Sequence, residues 1–318
     1  MSDPRAGNAL HDPTRFGAVV ALTATATAIG LVVTVPAWLA AGVALTVIVV
    51  LGIPHGALDY TVALHRGADR RRFALGYSAA VMMMGLVWLA APPVALAAFL
   101  VMSVHHFGQS DLAYLRLAGA RQSIIQGSRG ILLVGVPLIA HLELVSPAVV
   151  QLGAPDPEEW GWLAGHQMAW CIALITQHVV VLLVCSRRMA DSVVYEATSL
   201  AALCALFIVA DPLIGFAVYF GLWHAHSHLL VIAEQLGIAT NPLRSTLRRA
   251  APVSAIAVIA MALASGVVVI RSRPDLIVPT AFVALSMLTV PHLAVVERLW
   301  RSASRLPSRR RLAVSATR

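Results

Sequence analysis

Three histidines stand within five residues in Trp223-His224-Ala225-His226-Ser227-His228. The stretch lies inside an apolar run, Leu213 to Leu236, that reads as a membrane-crossing helix. Taking three imidazoles out of water at that depth is costly unless a partner or a bound ion compensates. At about 100° per residue, His224 and His228 fall on one face, a turn apart, while His226 points elsewhere. An i,i+4 pair of this kind lets one helix offer two nitrogens to a single metal ion.

Three other apolar runs carry histidines that could complete such a site. One ends in Gly52-Ile53-Pro54-His55-Gly56-Ala57-Leu58-Asp59. A second holds Ser103-Val104-His105-His106-Phe107-Gly108, then Asp111, and a third holds Pro291-His292, then Glu297. A lone intramembrane histidine is more often a hydrogen-bonded packing residue, and that reading suits His141, His166 and His178. His11 and His65 read as solvated. For the set on four helices the balance reverses, because one cation uses several neutral imidazoles at once. Imidazole nitrogens without thiolate suit iron, copper, zinc or nickel, and the residues alone leave that choice open. Asp59, Asp111, Glu234 and Glu297 are placed to accept the second N–H of such imidazoles. Asp59, Glu234 and Glu297 read equally well as solvated residues at span ends.

The elements that must position these residues are membrane helices. The chain has 318 residues, of which 59% are hydrophobic and 12% charged, with a mean hydropathy of +0.80. A soluble domain carries about 25% charged residues. All 23 basic residues are arginine. Without lysine the chain cannot hold retinal as a Schiff base, so it is not itself a rhodopsin. Cys171, Cys185 and Cys204 form no CxxC pair, which argues against disulfides, thiolate zinc and iron–sulfur clusters. The arginines flank apolar runs rather than forming one patch, so nucleic acid is not an expected partner.

Hydropathy predicts an all-α polytopic bundle of about ten spans, at 16–35, 38–60, 73–91, 93–115, 127–143, 161–185, 193–210, 213–236, 251–270 and 276–299. Residues 1–15 form a polar N-terminal segment, 16–300 a single membrane domain, and 301–318 a basic tail expected to be disordered. No cleavable signal peptide is evident. With both termini cytoplasmic, 21 arginines fall inside and only Arg271 and Arg273 outside. That asymmetry supports an inner-membrane protein in this orientation. The segment 143–160, with Pro147, Pro155 and Pro157, reads as an outer loop. All four histidine-bearing spans then run outside to inside. Counted from their inner ends at about 1.5 Å per residue, the imidazoles share a slab roughly 10 Å thick in the cytoplasmic half. Pro54 removes an intrahelical donor between two glycines, so the helix either opens there to aim His55 inward or simply kinks.

Pro54-His55-Gly56-Ala57-Leu58-Asp59, His106-Phe107-Gly108 with Asp111, His224-x-x-x-His228, and Pro291-His292 with Glu297 resemble, in order and spacing, the Brp/Blh family of integral-membrane β-carotene 15,15′-dioxygenases. The resemblance runs from span 2 to span 10, and the Pro54–Asp59 box is its most specific part. It implies a non-haem Fe(2+) held by His55, His106, His224 and His228. It also implies use of molecular oxygen to cleave β-carotene centrally into two molecules of retinal. Asp59, Asp111, His292 and Glu297 are then candidates to support the ligands.

β-Carotene dissolves in membrane lipid, so an intramembrane tunnel is its natural route. Phe107, Tyr219, Phe220 and Trp223 are candidate tunnel residues, as are Met82, Met83 and Met84, although such stripes are commonly helix packing. A rhodopsin could accept the product. The rival enzyme class is a di-iron lipid or carotenoid desaturase or hydroxylase, which needs about eight histidines in HxxxH and HxxHH boxes at a membrane surface. A non-enzyme rival is a metal transporter or a carotenoid-binding accessory protein. Transport calls for ionisable groups across both leaflets, and the outer halves of these spans are nearly bare of them.

Overall fold

A computed structural model describes residues 12–112, 119–185 and 190–304. His11, most of the polar N-terminal segment and the basic tail beyond residue 304 lie outside the described residues. Every regular element among the described residues is helical. In chain order the principal helices are α1 (Pro13–Val32), α2 (Ala37–His65), α3 (Arg70–Ala90), α4 (Pro92–Asp111), α5 (Ala120–Ala140) and α6 (Leu142–Gln151). There follow α7 (Gln167–Cys185), α8 (Ala190–Val209), α9 (Pro212–Gln235), α10 (Pro242–Ile270) and α11 (Ile277–Ser304).

Ten of these correspond to the ten predicted spans. Over the described residues, eight of the ten are long and apolar enough to cross a membrane. The exceptions are α4, whose polar C-terminal turns include His105, His106 and Gln109, and α8. Large apolar side chains face outward along the bundle, among them Val32, Trp38, Leu89 and Ile256. That is the surface of a polytopic membrane bundle, where lipid replaces water.

The fold is arranged around α9. Its apolar window is 72% buried, against 11% for α1, α3, α7 and α10. A helix that is apolar all round belongs in the interior, and Tyr219, Phe220, Trp223, Leu229 and Ile232 are all buried. On one side Tyr219 and Trp223 join Leu132, Leu203 and Phe207 of α5 and α8. On the other, Leu229 and Ile232 pack with Leu58 and Val62 of α2 and Ala250 of α10.

Two expectations are corrected. The segment after residue 142 is not an irregular loop over its first half. Leu142, Val145, Val149 and Leu152 recur at helical spacing, and the segment forms α6, which turns the first two inward and packs the last two on Trp88 and Leu96. Arg129, one of the 21 arginines counted on the inner side, lies inside α5 with its side chain 2% exposed, paired with Asp111.

Candidate metal centre

Local backbone sets the first two histidines. In α2 the residues Ile48–Gly52 form a π-turn, and the Ile53 N–H reaches back five residues to the Ile48 carbonyl. Pro54 follows directly, so the donor it lacks falls where the hydrogen-bond ladder is already shifted. The Gly52-Ile53-Pro54-His55-Gly56 box thus starts on the last residue of a π-turn and runs on into regular helix. A second π-turn, Tyr219–Ala225, contains His224. The two π-turns face each other. A β-carbon on Gly52 would stand 2.5 Å from the Phe220 ring, and one on Gly221 2.9 Å from Val47.

His106 is set by a different contact. A β-carbon on Gly108 would overlap the carbonyl of Gln126, and one on Gly130 would overlap the carbonyl of Val104. These two glycines bring α4 and α5 backbone to backbone, as small residues do between membrane helices.

The result is a cluster of five buried imidazoles from four helices. His55, His106 and His224 each turn a ring nitrogen to within 4.8 Å of the others. His55 has its ring centroid 5.6 Å from that of His228 and 4.9 Å from that of His292. His106 stands 4.8 Å from His224 and 4.9 Å from His292. His224 and His228 lie 6.3 Å apart with rings nearly parallel. All five residues are at most 6% exposed. Nδ1 of His55, both nitrogens of His106, both of His224 and Nε2 of His292 have no hydrogen-bond partner among the described residues. Buried imidazole nitrogens left without partners are costly. A soft-to-borderline divalent cation is the species that several converging lone pairs fit.

The carboxylates divide. Asp59 faces His292 Nδ1 with both oxygens, at 3.0 and 2.9 Å, and receives the Tyr77 hydroxyl at 3.3 Å. Asp111 does not meet the cluster through a hydrogen bond. It accepts from the Tyr219 hydroxyl at 3.1 Å and faces Arg129 Nε at 3.5 Å. Glu297 accepts from Gln109 at 2.8 Å and lies 3.6 Å from His105, which is half exposed. Glu234 is exposed. His141, His166 and His178 bond the Phe207 carbonyl, the Trp162 carbonyl and the Ser128 hydroxyl, as packing or surface histidines do. His65 is exposed, and half-buried His226 lies outside the cluster. A buried polar group that the sequence reading passed over is Glu196 on α8, 2% exposed. Its only sequence signal is an acid inside an apolar run.

A cavity of about 1070 Å³ reaches the imidazoles. Its lining along α11 runs from Val278 to His292, a distance of about 21 Å at 1.5 Å per residue. Past the Asp59–His292 pair it continues along α3 past Tyr77 and Phe73. Phe107, Tyr219 and Phe220 line it. Trp223 does not: its indole donates to Thr23 of α1 at 2.9 Å. Met82 and Met83 point outward, and Met84 packs on Trp88. Trp38, Leu144 and Ile256 line the cavity while remaining 76%, 65% and 71% exposed, so it opens to the lipid-facing surface.

Among proteins of known sequence, a family described as β-carotene 15,15′-dioxygenase matches residues 46–300. The β-carotene 15,15′-dioxygenase of uncultured marine bacterium 66A03 is 25% identical over 271 residues, covering 82% of this chain and 94% of that protein. The probable β-carotene 15,15′-dioxygenase Blh of Halobacterium salinarum is 29% identical over 289 residues, covering 78% of this chain and 81% of its own. No solved structure matches the chain. The matched region holds all five clustered histidines, and the chain belongs to the β-carotene 15,15′-dioxygenase family.

Proposed function

We propose that this protein cleaves the central 15,15′ double bond of β-carotene with one molecule of dioxygen, giving two molecules of all-trans-retinal. The carbon–carbon double bond is lost, and each of its carbons becomes an aldehyde carbon bearing one atom of the dioxygen. His55, His106, His224 and His228 would hold Fe(2+), and the iron supplies the redox chemistry that dioxygen needs to react with a closed-shell polyene. The observation that carries this reading is the convergence of unpartnered imidazole nitrogens on the wall of an apolar, lipid-accessible cavity.

The chain's own residues bind, orient and exclude. Phe216, Phe282, Leu96 and Phe99 form the part of the cavity toward the start of α11, and Tyr60, Phe73 and Tyr77 the part beyond Asp59. Room on both sides of the imidazoles suits a symmetric rod bound at its middle. Phe107 and Phe220 stand 4.9 and 5.6 Å from the His224 ring, where they fix the polyene beside the centre and keep water away. Asp59 holds the proton on His292 Nδ1. No side chain need abstract a proton from the substrate. The arginine distribution supports a multi-pass inner-membrane protein with both termini and the metal site toward the cytoplasm. Retinal is apolar and would leave into lipid, where a rhodopsin could take it.

Expression in a β-carotene-producing bacterium tests the reading. Loss of orange colour with retinal as the sole aldehyde is the expected result, and His55→Ala, His106→Ala, His224→Ala and His228→Ala should each prevent it. Apocarotenals of unequal length would overturn central cleavage. Two irons per purified chain instead of one would favour a desaturase-type centre.

A further inference from the structure

Four histidines satisfy the reading above, yet the structure gathers five. The fifth, His292, reaches the cluster from α11 and is held by a residue 233 positions away in sequence. Its ring centroid is 4.9 Å from His55, 4.9 Å from His106 and 5.4 Å from His228, so it stands among the other rings rather than behind them. His292 Nδ1 faces both oxygens of Asp59, and an ionised carboxylate can only accept. The proton of a neutral imidazole is therefore on Nδ1, and the lone pair is on Nε2. That nitrogen is buried and has no partner among the described residues. Asp59 is itself 2% exposed and is tied by the Tyr77 hydroxyl, so Tyr77, Asp59 and His292 form a fixed series ending in a free lone pair.

We propose that His292 is a fifth imidazole ligand of the centre, binding through Nε2, with Asp59 as the residue that sets its tautomer and orientation. The proposal rests on the metal reading of the preceding subsection. Histidine ligands usually donate their second N–H to a carboxylate or carbonyl. Among the five clustered rings, His292 is the one for which such a carboxylate partner is present. A fifth imidazole would leave the ion fewer positions for dioxygen than four would. Asp59 would also bring a negative charge next to a site otherwise built of neutral ligands.

The test is iron binding by the purified, detergent-solubilised chain, measured by metal content, by the rate of loss to a ferrous chelator, and by X-ray absorption. Wild type should hold one iron per chain with five imidazole scatterers. His292→Ala should show four, and its loss of iron to the chelator should be at least ten times faster. Asp59→Asn keeps the side-chain shape but offers an amide that can present N–H as readily as oxygen. It should weaken iron binding about 10–100-fold. If His292→Ala does not fold, Asp59→Asn and His292→Gln carry the comparison, with the thermal midpoint of each metal-free protein as the folding control. Equal scatterer counts and equal chelator rates in wild type and His292→Ala would overturn the fifth ligand while leaving the four-histidine centre standing. A wild type that holds no iron would overturn the metal reading itself, and the fifth ligand with it.

Discussion

Gly108 on α4 lies directly against the carbonyl of Gln126 on α5, with no room for a β-carbon between them. Gly130 repeats the contact in the other direction against Val104. His106 is two residues from Gly108, so the helix contact that these glycines permit also sets how far His106 projects toward His224. The site is thus positioned by the absence of two side chains as much as by the presence of five.

The first prediction follows from that contact. Gly108→Ala must push the two backbones apart, because neither neighbour is a flexible side chain that can give way. Overpacking of this kind costs about 1–3 kcal/mol, and the displacement falls on the metal centre. The variant should lose at least ten-fold in retinal production and in retained iron, with a lowered unfolding midpoint. Gly127→Ala, with open space around it, should behave as wild type in all three measurements. Equal behaviour of the two variants would remove glycine packing from the account of the site.

A second prediction separates the cavity from its surroundings. Leu285 lines the cavity on α11, whereas Trp223, adjacent in sequence to His224, is turned to α1. Leu285→Trp should fill the passage to the imidazoles and lower β-carotene turnover at least ten-fold while iron content stays at one per chain. Trp223→Phe should lose the bond to Thr23, a cost of about 1 kcal/mol, and part of the buried ring surface packed on Leu132, Leu203 and Phe207, with turnover within about two-fold of wild type. Chromatographic assay of retinal beside metal analysis reads both. Strong loss of turnover in Trp223→Phe, with little in Leu285→Trp, would move the substrate path to the other side of α9.

Much of the fold was legible because hydropathy over a span is a local property. Each of the ten apolar runs holds a long helix, although the run from 161 is broken at residues 165–166, and the histidine boxes at 55, 106, 224–228 and 292 do meet. What escaped depends on partners distant in sequence. The π-turn at Tyr219–Ala225 is adopted where α9 crosses α2, with Gly221 against Val47, and nothing in Tyr-Phe-Gly-Leu-Trp-His-Ala alone announces it. The indole of Trp223 finds Thr23, 200 residues away. Asp111 sits one turn from Gly108 and looks like a partner for His106 until Tyr219 and Arg129 claim it. Of the four candidate supports, Asp59 and His292 meet at the cluster. Glu297, one turn and a half beyond His292, lies instead beside His105 and Gln109.

Arg129 gives the last prediction. Its guanidinium lies in the interior with Nε 3.5 Å from Asp111 and Nη2 3.4 Å from the Ser199 hydroxyl. Glu196, one turn from Ser199, is also buried and lends its backbone carbonyl to that hydroxyl at 3.0 Å. Removing the arginine leaves Asp111 buried without its cation, and breaking a buried pair in this way costs about 3–5 kcal/mol. Arg129→Met should therefore unfold in detergent at a markedly lower temperature than wild type. Asp111→Asn in the same chain removes the stranded charge, so the double variant should recover most of that loss. Iron content should follow folded protein in both, because the pair is not hydrogen-bonded to the imidazole cluster. A double variant no more stable than Arg129→Met would show that the arginine acts through packing of its stem rather than through Asp111.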